Sequence, residues 1–215
     1  MKDELENLRQ NYTMSEFSEA LANESPFKQF EVWFAEAAQS GLMEPNAMAI
    51  STVSTDGKPS SRMVLLKGFS ETEGFIFYTN YHSRKGNELL ANPHASLLFW
   101  WPTLERQVRV EGNVRVAPEE VSDAYFRSRP AGSKLGAAAS PQSQVLASRE
   151  ELEGYFKKWE QEFPYGDISR PENWGGYMVQ PNYFEFWQGR SSRLHDRITY
   201  TPQPNGQWLR QRLAP

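Results

Sequence analysis

The sequence predicts a mainly β chain that closes as a barrel, with helices at its periphery, and three observations carry that expectation. Strand-length runs recur at short intervals between turn signals over residues 47–116, the spacing of a barrel. The run Arg106–Val116 alternates Val108, Val110, Val114 and Val116 against Gln107, Arg109, Glu111 and Arg115, as a strand with one buried face requires. Helical patterns lie between and beside these runs, opened by Ser25-Pro26, Ser83, Pro118-Glu119-Glu120 and Ser148-Arg149-Glu150-Glu151.

In order along the chain, residues 1–25 are polar and read as a short helix and a mobile arm. Ser25 as N-cap and Pro26 at the first helical position start a helix that ends at Gly41, and Phe27, Phe30, Phe34, Ala37 and Ala38 give it an apolar core stripe. Ala47–Ser54 and Pro59–Gly68 form a hairpin about the Asp56-Gly57 turn. Gly74–Asn80, Ala95–Trp101 and Arg106–Val116 continue the β pattern, with a helix from Ser83 to about Leu90 between the first two. Pro118 opens a helix to about Arg127, and the capping-box match at Ser148 opens another to about Phe163. Between them Arg129–Ser143, rich in glycine, alanine and serine, reads as a loop too long for a mere connector and so as a lid or binding segment. Trp174–Pro215 returns to strands, with a turn at Pro202–Gly206 before Gln207–Leu213. The expected organisation is an arm over residues 1–25 and a single domain over 26–215, since 215 residues with 39% hydrophobic content suffice for one substantial core.

A formal net charge of −4 argues against a general nucleic-acid binder, which carries a basic surplus. With no cysteine, disulfides, thiolate metal sites and cysteine nucleophiles are excluded. His82, His94 and His195 are scattered without metal-ligand spacing, so no metal is expected and the chemistry calls for an organic cofactor or none. The N-terminus is charged from its second residue, and no run approaches the ~18 apolar residues of a membrane span. The expected location is the cytoplasm, with no membrane partner.

Two cationic clusters are candidate sites. Read as a strand, Arg193, His195 and Arg197 share one face, where they repel unless something anionic or electron-rich covers them; a solvated strand face is the alternative. Ser83-Arg84-Lys85 places cations in the first turn of a helix, against the macrodipole by a few tenths of a kcal/mol. An anion there reverses the sign, with helix N–H groups, the Ser83 hydroxyl and the Arg84 fork available to a phosphate, the alternative being a plain serine cap followed by surface cations. Arg62 and Lys67 have opposite strand parity, so either a bulge or twist intervenes or they reach a site from different sides.

Many motifs occur together in one order: Arg62-Met63-Val64-Leu65-Leu66-Lys67, Phe77-Tyr78-Thr79-Asn80, Ser83-Arg84-Lys85, Glu105-Arg106-Gln107-Val108, Ser128-Arg129-Pro130, Gln142-Ser143, Trp174-Gly175-Gly176, Glu185-Phe186-Trp187-Gln188-Gly189, Arg193-Leu194-His195-Asp196-Arg197 and Arg212-Leu213-Ala214-Pro215. From about Pro26 onward the chain thereby resembles the pyridoxamine 5'-phosphate oxidase family. The resemblance implies an FMN-binding split β-barrel that works as a homodimer with FMN at the interface. It implies oxidation of pyridoxamine or pyridoxine 5'-phosphate to pyridoxal 5'-phosphate, with O2 as acceptor and H2O2 as product. The implied FMN contacts are Arg62, Met63, Val64, Leu65, Leu66, Lys67, Tyr78, Thr79, Ser83, Arg84, Lys85, Gln107, Gln142, Ser143, Trp187 and Arg197. The implied substrate contacts are Lys67, Tyr125, Arg129, Ser133, Arg193 and His195, the first four around the substrate phosphate and the last two catalytic. Arg193 would cover the substrate ring and His195 would hydrogen-bond its phenolic oxygen, in the neutral state that the neighbouring arginines favour. Ala138, Arg127 and Gln144 depart from the family pattern, which bears on loop packing rather than on the contacts. The rivals are another split-barrel flavoprotein, such as a flavin reductase or a different oxidase, and a non-catalytic binder of flavin or pyridoxal phosphate.

Overall fold

The computed structural model describes residues 6–8 and 10–215, so the part of the predicted arm and its helix that falls on residues 1–5 and 9 lies outside the described residues. The elements in chain order are α1 (Pro26–Gln39), β1 (Ala47–Val53), β2 (Pro59–Leu65), β3 (Gly68–Ser70), β4 (Gly74–Asn80), α2 (Arg84–Ala91), β5 (His94–Trp101), β6 (Arg106–Val116), α3 (Glu119–Ser128), α4 (Ala131–Ala139), α5 (Arg149–Glu162), β7 (Trp174–Gln188), β8 (Asp196–Pro202) and β9 (Trp208–Arg212). The nine strands follow the order β2-β1-β5-β6-β7-β4-β3, with β8 added to β7 and β9 to β8. Two compact units are distinguished: a terminal unit of the described residues up to Ala49 with Ser96–Glu111 and Pro181–Pro215, and a middle unit of Ile50–Ala95 with Gly112–Gln180.

In the terminal unit, α1 starts where the sequence places it: the Ser25 hydroxyl accepts the Lys28 N–H, and Pro26 occupies the first turn. Its buried stripe is Phe27, Phe30, Trp33 and Ala37, stepping by three and four. Of the predicted stripe Phe34 is half-buried, and Ala38 is exposed because it sits about 100° beyond Ala37 on the helix. Trp33 is the residue the spacing should have included. It meets Phe186 edge-on at 5.3 Å and Phe17 at 4.8 Å. Phe17, 3% exposed, thus packs the arm's later residues into an aromatic core that also holds Phe30, Phe99 and Tyr200. β7 and β8 pair antiparallel from Phe184↔Tyr200 to Gln188↔Asp196, and β8 continues onto β9 through the predicted turn, with Gly206 at φ +81.

In the middle unit, β4 pairs with β7 from Phe75↔Val179 to Asn80↔Trp174 and with β3 on its other edge. The predicted valine alternation holds for Val108 and Val110 in the terminal unit and Val114 in the middle one, but Val116 is exposed. Ala117 turns inward instead, against Ile76 and Met178, because its N–H bonds the Gly176 carbonyl and ends the period-two pattern. The predicted loop over Arg129–Ser143 is corrected by helix α4 across Ala131–Ala139. Leu135 and the alanines favour helix, Pro130 precedes the first turn, and Leu135 and Ala139, one turn apart, are its buried residues. α4 packs against α5, whose N-cap Ser148 accepts the Glu151 N–H while the Glu151 carboxylate accepts from Ala147, one residue earlier than a capping box requires.

Candidate functional site

The middle unit gathers Thr79, Ser83, Lys85 and Gln142 into one hydrogen-bonded cluster. β4 delivers Thr79, and Ser83 caps α2, its hydroxyl accepting the Gly86 N–H. The chain can turn so tightly there only because Gly86 lacks a Cβ, which would lie 2.0 Å from the Tyr81 carbonyl oxygen. Lys85 is 7% exposed, and its ammonium donates to Gln142 Oε1 at 2.9 Å, Thr79 Oγ1 at 3.0 Å and Ser83 Oγ at 3.3 Å. All three acceptors are uncharged, so burial pulls the Lys85 pKa down to about 8, with Arg62 pushing the same way and Glu88 opposing. Gln142 and Ser143 follow α4, and Ser143 sits at φ +71, a left-handed conformation strained for a residue with a side chain.

The cations of the predicted phosphate site have an internal partner that the sequence reading missed. Glu88, 6% exposed, accepts from Arg84 Nε at 2.9 Å and from Arg62 Nη2 at 3.2 Å, and Ser60 at 2.7 Å and Thr52 complete its hydrogen bonds. Burial raises its pKa, but the hydrogen bonds from Ser60, Thr52, Arg84 and Arg62 outweigh that and hold it down at about 2. The available signal was the i,i+4 spacing of Arg84 and Glu88 on one helix. The parity conflict of Arg62 and Lys67 dissolves, because β2 ends at Leu65 and Lys67 stands exposed in the link to β3. Met63 is 64% exposed, while Leu66 is buried.

Tyr125, on α3, stacks on Tyr78 of β4 at 3.9 Å between ring centres, and Trp174 lies parallel to both. The Arg129 guanidinium sits 4.6 Å over the Trp174 ring, with Nη1 buried and without a hydrogen-bond partner, and burial lowers its pKa. A buried guanidinium nitrogen without a partner keeps its N–H donors free for an anion. Ser133 is exposed at the start of α4.

In the terminal unit the predicted strand over Arg193–Arg197 is corrected. β8 begins at Asp196, Ser191–Arg193 form a single 3-10 turn, and Ser192 and Arg193 both have positive φ, +57 and +60. The shared strand face therefore does not exist: Arg193 is exposed on the turn, while Arg197 points to Glu185 at 2.7 Å. Glu185, 2% exposed, also pairs with Arg109 at 2.8 Å, so here too one buried glutamate carries two guanidiniums. The His195 ring lies 4.6 Å from Trp187, and Nδ1 accepts the Arg190 N–H at 3.1 Å, so the neutral ring carries its proton on Nε2. Burial and then Arg193 lower its pKa, against Asp196. Tyr12, from the polar arm, caps both rings at 5.7 Å, a contact with no periodic signal in the sequence. Gln107 is half-buried on β6. Among the described residues no group of three or more acids and histidines is placed to hold a metal, and no helix is long and apolar enough to cross a membrane.

Comparison with known proteins gives these clusters a context. Residues 34–163 match the family model described as pyridoxamine 5'-phosphate oxidase, and residues 174–215 match the pyridoxine 5'-phosphate oxidase C-terminal dimerisation region. Curated proteins named pyridoxine/pyridoxamine 5'-phosphate oxidase are similar along their whole length. That of Gloeothece citriformis is 51% identical over 215 residues, covering 100% of both chains, and that of a Synechocystis species is 54% identical over 211 residues, covering 98% of both. Among solved structures, PhzG from Burkholderia lata in complex with tetrahydrophenazine-1-carboxylic acid has a TM-score of 0.86 at 30% identity, covering 94% of this chain and 98% of that one. A pyridoxamine 5'-phosphate oxidase-related, FMN-binding protein from Nostoc punctiforme has a TM-score of 0.72 at 17% identity, covering 89% and 98%, a likeness of fold alone. The fold is thus the split β-barrel that the family resemblance implies. With family models matched over most of its length and relatives above 50% identity end to end, the chain belongs to the pyridoxine/pyridoxamine 5'-phosphate oxidase family of oxidoreductases.

Proposed function

We propose that this chain oxidises pyridoxamine 5'-phosphate or pyridoxine 5'-phosphate to pyridoxal 5'-phosphate with FMN as cofactor, O2 as electron acceptor and H2O2 as product. The observation that carries the reading is the pair of cationic sites in the middle unit of a chain from this family: Arg84, whose Nε alone is bonded to Glu88, beside the buried Lys85 ammonium, and the orphaned Nη1 of Arg129. Both fit phosphate esters. The working form in this reading is a cytoplasmic homodimer with FMN at the subunit interface, supported by the match of residues 174–215 to the family's dimerisation region.

FMN, when bound, supplies the hydride acceptor and the return of electrons to O2. Arg62, Ser83, Arg84 and Lys85 would hold its phosphate, with Thr79, Gln142 and Ser143 beside them. Met63 to Lys67, Tyr78, Gln107, Trp187 and Arg197 would line the rest of the nucleotide. Arg129, with Lys67, Tyr125 and Ser133, would anchor the substrate phosphate, so that binding energy far from the reacting carbon fixes the geometry there. Arg193 would cover the substrate ring and stabilise negative charge developing on it. His195 would donate from Nε2 to the ring's phenolic oxygen, an orienting role that suits a neutral imidazole whose Nδ1 is already occupied. Tyr12, resting on His195 and Trp187, would keep water from that edge.

The test is a visible spectrum of the pure protein, followed by anaerobic addition of pyridoxine 5'-phosphate and then air. The expected results are a flavin spectrum, its bleaching, and peroxide on reoxidation. A colourless protein that takes up no added FMN, or a bound flavin that the substrate leaves unbleached, overturns the reading. Arg193→Ala is expected to lower turnover sharply with FMN binding intact; loss of flavin with normal turnover on added cofactor would contradict its role.

A further inference from the structure

We infer that Glu88 is a positioning residue for the flavin nucleotide, its buried carboxylate holding the Arg62 and Arg84 guanidiniums in the orientation that receives the FMN phosphate. The inference rests on the FMN reading above and deepens it by naming what organises that phosphate subsite. Glu88 is on the buried side of α2, one turn beyond Arg84, and its two oxygens divide the work. Oε1 takes only the Nε–H of Arg84, leaving the two terminal nitrogens of that guanidinium for another anion. Oε2 takes Nη2 of Arg62 together with the hydroxyls of Ser60 and Thr52. Thr52 and the Ile50 carbonyl also receive Nη1 of Arg62, and Ser60 shares Nη2 with Glu88, so that guanidinium is fixed at both ends by β1, β2 and Glu88 and keeps its Nε–H for a ligand. Four donors from β1, β2 and α2 thus converge on one carboxylate.

Charge points the same way. Arg62, Arg84 and Lys85 less Glu88 leave three minus one, or about +2, against a phosphate that carries about −2 at neutral pH. Without the carboxylate three cations would face one another, and Arg84, 62% exposed, would swing toward water before any ligand arrived. Glu88 also opposes the loss of the Lys85 proton.

A carboxylate beside a phosphate can act in two opposite ways, and the sign of one measurement separates them. If Glu88 were only a competing negative charge, Glu88→Gln would tighten FMN binding. As a positioning residue its loss weakens FMN by at least about tenfold, the size expected for charge-assisted hydrogen bonds, and leaves riboflavin, which lacks the phosphate, within about twofold. The experiment titrates flavin-free wild type and Glu88→Gln with FMN and with riboflavin, following the quenching of flavin fluorescence, with circular dichroism to establish that the variant is folded. Selective loss of FMN supports the inference. FMN binding as tight as wild type or tighter, or parallel loss of both ligands by a folded variant, overturns it. Should Glu88→Gln fail to fold, Ser60→Ala removes one of the hydrogen bonds to Oε2; a selective loss of FMN of about threefold is expected, and its absence overturns the inference. A wild type that binds no FMN defeats the FMN reading itself and this inference with it, whereas normal FMN binding by wild type and Glu88→Gln alike defeats the inference alone.

Discussion

Lys85→Met should make the flavin-free protein more stable at neutral pH while crippling its hold on FMN. The Lys85 ammonium is buried among uncharged oxygens, and burial takes its pKa from the ordinary 10.5 to about 8. A base with a folded pKa below its unfolded one binds its proton more weakly in the native state. Its charged form is therefore a penalty, full below pH 8, shrinking as pH rises from 8 to 10.5, and gone above that. The displacement corresponds to about 3 kcal/mol at pH 7. Methionine fills most of the same space, and Thr79 and Gln142 still bond each other at 3.0 Å, so a net gain of about 1–2 kcal/mol is expected after imperfect packing is deducted. For a chain of this length that raises Tm by about 2–8 °C. The assay is thermal unfolding of flavin-free wild type and variant from pH 7 to pH 10.5, with FMN titrations beside it. The variant should melt higher at pH 7, the gap should close and then reverse toward pH 10.5 as only the packing loss remains, and FMN should bind at least about tenfold more weakly. A flavin-free variant that melts at or below wild type throughout would refute the reasoning, because it would mean that the charged ammonium stabilises the empty protein.

Three further outcomes follow from the geometry. Gly86→Ala puts a Cβ 2.0 Å from the Tyr81 backbone oxygen, which cannot move without shifting the start of α2; a loss of about 1–3 kcal/mol is expected, and an unchanged melting temperature would show that the turn is loose. Glu185→Gln weakens charge-assisted hydrogen bonds to Arg109 and Arg197 from a side chain only 3% exposed, and should cost about 2–3 kcal/mol in urea unfolding, whereas an unmoved midpoint would mean that the arginines find other partners. The His195 ring, desolvated and repelled by Arg193, should titrate below pH 6.5 by NMR in the flavin-free protein; a midpoint at or above 6.5 would contradict the burial and repulsion that lower it.

The strands and most helices were legible because their signals are local: the Ser25-Pro26 and Ser148 starts, the turn glycines at 57 and 206, and the alternation of Val108 and Val110. What misled was composition read without propensity. The stretch Ala131–Ala139 is glycine- and serine-marked, yet its alanines make it a helix. The stretch from Arg193 to Arg197 alternates like a strand, but two residues of positive φ turn the chain first, and nothing in the side chains of Ser192 and Arg193 asks for that conformation. Strain of that kind is imposed from outside the segment, so a sequence read locally cannot supply it. Tyr12 was lost for the same reason, since it reaches Trp187 and His195 across 175 and more residues of chain from a segment without periodicity.

The Ser83-Arg84-Lys85 cluster was legible as a cluster and misjudged as unpaired, whereas the face from Arg193 to Arg197 was no face, and its Arg197 is paired as well. Repulsion among like charges does require an anion, but the sequence offers acids everywhere, with 27 Asp and Glu in the chain, and proximity in three dimensions decides which of them serves. In the middle unit that acid is Glu88, and in the terminal unit Glu185; each is nearly sealed from water and each holds two arginines. In the middle unit the single carboxylate under two guanidiniums leaves one positive charge in excess, which the proposed reading assigns to an anionic ligand, whereas in the terminal unit Glu111 also pairs with Arg109 at 3.1 Å and closes the balance. Fully paired arginines would bind nothing, and unpaired ones would be held in no particular place. The half-compensated arrangement combines an ordered cation with residual charge, which is what recognition of a phosphate at low reorganisation cost demands.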